Sequence, residues 1–297
     1  MDSKEKYIDL HIHTNKSDGA FEPSEIIKMA NKNQTSIISI CDHDTIEGIK
    51  EFKSNLLKDM QGIYGVEFSS YIDINGKKIK LHILGYGFEP TSIYILKLLE
   101  EMKQKRLSAH IDALNYIKDK IINLPEERIS KLNMERYCWF DREIIKCLEE
   151  EKNNIEIIEN LKKHFQKNRF SYGNDYELNV FDVINAIKLS GGYAILAHPM
   201  AYKLSRDEIF KIIIKLIDIG IDGIEIFQSD CSIEDSIFLK NIVNKYNLLY
   251  SVGSDFHRTI NSDGRMIGLG IDNNLCIEET SLTNKILEKK KYFNGMK

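Results

Sequence analysis

Six of the eight histidines in this chain stand at or just past the end of a stretch that reads as a β-strand. His11 and His13 follow Tyr7–Leu10 as an H-x-H pair, and side chains two apart on an extended segment share a face. His43 sits in Asp42-His43-Asp44, directly after the apolar run Ser36–Ile40. His82 lies near the end of a hairpin arm, His198 follows Tyr193–Ala197, and His257 closes Gly253-Ser254-Asp255-Phe256-His257. Three carboxylates accompany them: Asp18 just downstream of the H-x-H, Glu67 at the end of Ile63–Phe68, and Asp255 two residues before His257. Neutral imidazole combined with carboxylate oxygen suits Zn²⁺, Mn²⁺ or Fe²⁺, whereas an all-oxygen set would suit Mg²⁺ or Ca²⁺. Nine such donors exceed what one ion takes, which points to two or three divalent ions sharing carboxylates. Each group has a plainer reading on its own; Asp44 and Thr45, for example, are good helix-capping types. The coincidence of so many at strand ends is what argues for a metal centre. His110 and His164 fall inside helical stretches, where a surface role is expected.

The elements that must position these residues alternate. Tyr7–Leu10 is followed by a helix opening at Pro23-Ser24-Glu25 and running to about Asn33, then by Ser36–Ile40 and a helix from about Thr45 to Lys58. Tyr71–Ile74 and Lys77–Leu84 flank Asn75-Gly76, the dipeptide of a tight type I′ hairpin turn. Helices at Val180–Ser190, Ser205–Ile219 and Ile233–Tyr246 each lead to a strand, at Tyr193–Ala197, Gly223–Phe227 and Leu249–Gly253. Strand–helix alternation predicts a parallel α/β architecture, in which catalytic groups gather at the carboxyl ends of the strands. Residues 91–178 read differently: charged and helical, with helices at Ile93–Ile121 and Ile155–Gln166. This insertion, set between a 1–90 and 179–297 metal-binding domain, either only buries itself or shapes the substrate site.

Composition narrows the class. The 297 residues are 42% hydrophobic and 29% charged, with 41 Lys and Arg against 45 Asp and Glu. Such a balance fits a soluble globular protein, and no stable binding to duplex DNA is expected of it. The five cysteines are scattered without a C-x-x-C pair, which predicts neither a disulfide framework nor a thiolate zinc site and fits a reducing compartment. No apolar run reaches the roughly 18 residues of a membrane span, and no signal peptide is read. A cytoplasmic location is expected.

The segments Asp9-Leu10-His11-Ile12-His13-Thr14 with Ser17-Asp18-Gly19, Asp42-His43-Asp44, Gly65-Val66-Glu67, Ala197-His198-Pro199 and Gly253-Ser254-Asp255-Phe256-His257 resemble, in order, those of the PHP (polymerase and histidinol phosphatase) phosphoesterases. The insertion resembles that of the branch containing nucleoside 3′,5′-bisphosphate phosphatases and 5′→3′ exonucleases of short oligonucleotides. The resemblance implies a distorted, TIM-like (β/α)7 barrel with three divalent metals. It assigns His11, His13, Glu67 and Asp255 to the first, Glu67, His82 and His198 to the second, and Asp18, His43 and His257 to the third. Two stretches depart from that branch. Phe140-Asp141-Arg142-Glu143 stands where an Arg-Pro-His run is usual, and Asn168-Arg169-Phe170-Ser171-Tyr172 stands where Gly-Lys-Pro-x-Tyr is usual.

Three divalent cations would outweigh three carboxylates, making the rim a natural host for phosphate. The implied chemistry is in-line attack on phosphorus by a metal-activated water, which needs neither a side-chain nucleophile nor a phosphate-cradling Gly-rich loop. Asp42 and Asp44 are candidates to orient His43 or another ligand, and Glu225 either faces the same rim or is structural. Arg258, Arg169 and Arg206 are candidate phosphate clamps, since the guanidinium fork matches phosphate oxygens. The expected partner is a small phosphorylated molecule, a nucleotide or a short RNA. The alternatives are histidinol-phosphate phosphatase and, in another class, a non-catalytic metal-stabilised module.

Overall fold

A computed structural model of the chain describes residues 6–118, 145, 147–150, 155–168, 177–258 and 264–296. By internal contacts the chain divides into one unit of residues 1–98 and 179–297 and another of residues 99–178.

The first unit begins β1 (Tyr7–Ile12), α1 (Pro23–Lys32), β2 (Thr35–Ile40), α2 (Ile49–Asn55), β3 (Gln61–Gly62), β4 (Gly65–Ile74) and β5 (Lys77–Tyr86). After the long α3 (Ile93–Lys118), and α4 (Ile155–Asn168) of the second unit, it resumes with β6 (Leu178–Asn179), α5 (Val180–Leu189) and β7 (Tyr193–Leu196). It closes with α6 (Arg206–Ile219), β8 (Gly223–Gln228), α7 (Ile233–Tyr246), β9 (Leu249–Gly253), α8 (Ser281–Glu288) and β10 (Phe293–Asn294). The strands form two sheets, β1-β2-β3-β10 and β6-β4-β5-β7-β8-β9. Single parallel bridges join them, Ile12 to Phe256 between β1 and the end of β9, and His43 to Glu67 between the end of β2 and β4. Around the resulting ring run β9, β1, β2, β4, β5, β7 and β8, a distorted seven-stranded barrel. The distortion has a clear source: β5 runs antiparallel to both β4 and β7, whereas β1–β2, β7–β8 and β8–β9 are parallel.

Local sequence explains the elements. Pro23 occupies the first turn of α1, and Glu22 and Glu25 cap it reciprocally, as Ser205 and Glu208 do for α6, each satisfying amide donors that the first turn leaves unpaired. Asn75 and Gly76 both adopt positive φ, 55° and 79°, at the β4–β5 turn, as a type I′ hairpin requires. One apolar cluster gathers Leu10, Leu84, Tyr86, Ile195 and Val252 from the strands with Leu282 and Ile286 of α8. A second packs Ile26, Ile27 and Phe52 of α1 and α2 on Ile38 and Ile40. Each such side chain contributes roughly 1.5–3 kcal/mol when fully buried.

Two expectations need correction. The helix foreseen from Thr45 to Lys58 is confined to Ile49–Asn55, because Asp44 at φ 51° ties its carboxylate to Ser69 rather than capping a helix. The runs Ile63–Phe68 and Tyr71–Ile74 belong largely to one strand, β4, because Ser69 and Ser70 between them are buried with partners, Ser70 donating to Leu81 O at 3.0 Å.

In the second unit, the part of α3 beyond Leu98 and α4 bury Met102, Ile158 and Leu161. Lys162 of α4 bridges to Glu149 at 2.9 Å. Of the two stretches where the chain departs from the nucleotide-cleaving branch, residues 140–143 and 169–172 lie outside the described residues, Arg169 among them.

Candidate metal centre

All nine expected donors are described, and all nine converge on one cluster. Seven lie at or beyond the carboxyl ends of β1, β2, β7 and β9, whereas Glu67 is the third residue of the ten-residue β4 rather than the end of a strand, and His82 lies midway along β5. Irregular register in β1 between Asp9 and Ile12, and in β8 between Glu225 and Phe227, re-aims side chains beside the site, as bulges do. Gly253 permits the closest approach: a Cβ there would overlap Cβ of His11 and Oε1 of Glu225.

Glu67 is the hub. Its Oε2 lies 3.2 Å from Nε2 of His11, 3.2 Å from Nε2 of His13 and 3.2 Å from Nδ1 of His43. Its Oε1 lies 3.0 Å from Nδ1 of His82 and 2.9 Å from Nε2 of His198, and those two nitrogens are 3.3 Å apart. Asp255 Oδ1 adds a fourth corner to the first set, 3.5 Å from His11 and 3.2 Å from His13. Asp18 approaches His13 Nδ1 at 3.5 Å, His257 Nε2 at 3.3 Å and His43 Nε2 at 3.9 Å. Donor atoms bound to one cation at about 2.0–2.2 Å stand about 3.0–3.5 Å from each other, so these separations are those of donors around an ion. The sets that could hold one are His11, His13, Glu67 and Asp255; His13, Asp18, His43 and His257; and His43, Glu67 and His82. His198 stands as close to Glu67 and His82 as His43 does to Glu67.

The hydrogen bonding also fits a cation. The nitrogens Nε2 of His11 and His13 face each other at 3.1 Å, and Glu67 Oε2 and His13 Nδ1 are buried without a hydrogen bond, although buried polar atoms normally have one. Burial opposes charge on Glu67, but His43, His11 and His82 hold its carboxyl well below the usual range. Burial also opposes protonation of His13, yet Asp255, Glu67 and Asp18 push it up to about 10. Burial drives His43 well below its usual value.

The supporting groups are partly unforeseen. Glu225, fully buried, places Oε1 3.0 Å from His11 Nδ1 and accepts from His198 N at 2.8 Å through Oε2. It therefore fixes one ligand's ring and another's backbone, and the charge in the apolar strand Gly-Ile-Glu-Ile-Phe was the signal for it. Asp9 accepts from the amides of His11, Ser254 and Gly268, and burial raises it to about 6. Tyr202 donates to Ala197 O and accepts from His82 N. Asp42 accepts from Thr14 N at 2.7 Å, Thr14 Oγ1 at 2.7 Å and Ser17 Oγ at 2.6 Å, pinning the loop after the H-x-H. Asp44 likewise accepts from Ser69 N at 2.8 Å and Ser69 Oγ at 2.9 Å. Arg258 is exposed beside His257. Arg206 bonds Asp235 through Nε and Nη2 at 2.8 and 2.7 Å and covers Phe238, tying α6 to α7.

The sequence profile of the PHP domain matches residues 9–172. The chain is 25% identical over 261 residues to the 5′-3′ exoribonuclease of Haemophilus influenzae, covering 85% of this chain and 90% of that one. It is also 25% identical over 272 residues to the 3′,5′-nucleoside bisphosphate phosphatase of Chromobacterium violaceum, covering 88% and 90%. Its fold matches a structure from Bifidobacterium adolescentis described as a metal-dependent phosphoesterase, with a TM-score of 0.68 over 99% of this chain and 98% of that one at 21% identity.

Proposed function

The chain belongs to the PHP domain family and is a metal-dependent phosphoesterase, and we propose that it removes phosphate from a nucleoside 3′,5′-bisphosphate or trims short oligonucleotides from the 5′ end. The observation that carries the reading is the packing of six imidazoles and two further carboxylates around Glu67; the two nucleotide-cleaving relatives support the substrate class. Bound divalent cations, with manganese, zinc and iron suited to these donors, supply an activated water and neutralise charge on the phosphate oxygens.

Everything else falls to the chain. We assign His11, His13, Glu67 and Asp255 to one cation, Glu67, His82 and His198 to a second, and Asp18, His43 and His257 to a third. Glu225 holds His11 with Nδ1 turned away from the cluster, so that Nε2 offers its lone pair inward. Arg258 and, from the 91–178 insertion, Arg169 are the proposed phosphate contacts, and the insertion is proposed to shape the substrate site. The cytoplasm is the proposed compartment, in keeping with the unpaired thiols of Cys41, Cys147, Cys231 and Cys276. Among the described residues no helix is long and apolar enough to cross a membrane.

The test is a parallel assay of protein stripped by chelation and reloaded with Mn²⁺, Zn²⁺ or Fe²⁺. Phosphate release from a nucleoside 3′,5′-bisphosphate and shortening of a 5′-phosphorylated short RNA are expected, with histidinol phosphate spared. Preference for histidinol phosphate would reassign the substrate. No hydrolysis of any ester would make the site a structural metal module.

A further inference from the structure

Asp255 differs from the other central carboxylate. Its side chain is 22% exposed where that of Glu67 is fully buried, and its backbone sits at φ 54°, in the left-handed region that costs a side-chain-bearing residue energy. Something must hold it there. Its two oxygens are divided: Oδ1 faces His11 and His13, while Oδ2 lies 3.5 Å from Nη1 of Arg265. The same Nη1 donates to Ser254 O and Asp255 O, each at 3.0 Å. The guanidinium thus grips two successive carbonyls and the carboxylate of one loop. Its other arm, Nη2, reaches Asp230 Oδ2 at 2.6 Å, just past β8, and Asp230 N in turn donates to Gln228 Oε1 at 3.1 Å. No sequence motif marks either residue.

We propose that Arg265 is the positioning residue for Asp255, and that Asp230 anchors Arg265 in that task. The arginine fork fixes the loop between β9 and His257 so that one carboxylate oxygen is presented to the His11–His13–Glu67 set. Asp230 touches none of those donors among the described residues and acts only through the guanidinium. A lysine could not replace it, since one ammonium lacks the planar fork that spans both arms. This inference rests on the proposal that these four residues bind a cation, and the experiment separates the two.

Isothermal titration of the metal-stripped full chain with Mn²⁺ is the readout, with circular dichroism as the check on folding. For Arg265→Ala, binding at one of the cation sites should weaken 10–100-fold, as expected when a group supporting a ligand is lost, while the remaining sites keep their affinity. Arg265→Lys should lose nearly as much, and Asp230→Ala about 3–10-fold. The double variant should be no weaker than Arg265→Ala alone, because the two residues act in series. Millimolar guanidinium should restore affinity to Arg265→Ala, which a general loss of packing would not allow. If Arg265→Ala fails to fold, Arg265→Lys and Asp230→Ala carry the test on the same readout. Wild-type affinity in a folded Arg265 variant, or multiplying losses in the double variant, would overturn the proposal and leave the metal centre standing. Absence of Mn²⁺ binding by the wild-type chain would instead remove the reading on which it rests.

Discussion

The two sides of the metal centre are built differently. The side formed by β1, β2 and β4 carries His11, His13, His43 and Glu67, all buried, with His11, His13 and Glu67 wholly so. It is fastened by carboxylates that never reach the surface: Asp9 on three backbone amides, Asp42 on the loop after His13, and Glu225 on His11. The opposite lip carries His82, Asp255 and His257, whose side chains are 30%, 22% and 24% exposed. There Arg265 grips the Asp255 loop, His257 Nδ1 lies 2.8 Å from the Asp255 carbonyl, and Tyr202 accepts from His82 N at 3.0 Å. Buried, fully bonded polar groups rigidify their surroundings, whereas exposed ones are cheaper to move. In the proposed reading, the buried wall would set the spacing between cations, and the more exposed lip would admit the phosphate.

The strongest way to break that distinction is Glu67→Gln. The amide keeps the shape, but its NH₂ is a donor where both carboxylate oxygens now face imidazole nitrogens on five histidines. Loss of more than one cation and a fall in turnover of at least about 100-fold are expected, beyond what losing a ligand's supporting partner costs. A lip change such as His257→Asn should by comparison cost one cation. Metal counting on dialysed protein decides it: equal losses from the two variants would erase the difference between wall and lip.

Glu225→Gln asks whether the wall is tuned or only packed. The amide oxygen can still accept from His198 N, but the charge facing His11 Nδ1 is gone. Mn²⁺ affinity should fall about 10–100-fold with the fold intact. A variant that melts earlier yet binds Mn²⁺ as the wild type does would make Glu225 a structural residue.

What the sequence disclosed divides along the same line. α7 and β9 lie where their periodicity placed them, at Ile233–Tyr246 and Leu249–Gly253, because a capped amphipathic helix and a short apolar strand are decided locally. Most of the nine donors could be listed because they lie at or just past the end of a strand, and strand ends share a rim whatever the turns between them do; Glu67 and His82 were found although the structure places them within β4 and β5. The supports were less legible, since they are contacts between residues far apart in the chain. His11 and Glu225 are separated by 214 positions, and nothing near Asp42 tells that its bonds go to Thr14 and Ser17 rather than to the adjacent histidine. Arg265 follows a glycine in a polar stretch without periodicity, where no local pattern could reveal its hold on Asp255. The helix foreseen from Thr45 to Lys58 failed for the same reason: a tertiary partner, Ser69, took the carboxylate that local reasoning gave to a cap.

The smallest expected effect tests the hairpin that carries both sides, Glu67 on β4 and His82 on β5. Gly76, at its far turn, has φ 79°, and a Cβ there would meet nothing within 4 Å. Gly76→Ala therefore carries only the conformational penalty of a left-handed alanine, about 1 kcal/mol, or a fall of roughly 2–4 °C in Tm for a domain of this size. The two ten-residue arms, which contain Glu67 and His82, are fully paired in register from Gly65–Tyr86 to Ile74–Lys77, so strain at the tip should not reach Glu67 or His82. Mn²⁺ affinity should stay at the wild-type value while thermal unfolding shifts down. If affinity falls as well, the hairpin transmits strain along its length, and the lip ligand His82 is set by the turn rather than by its neighbours Glu67, His198 and Tyr202.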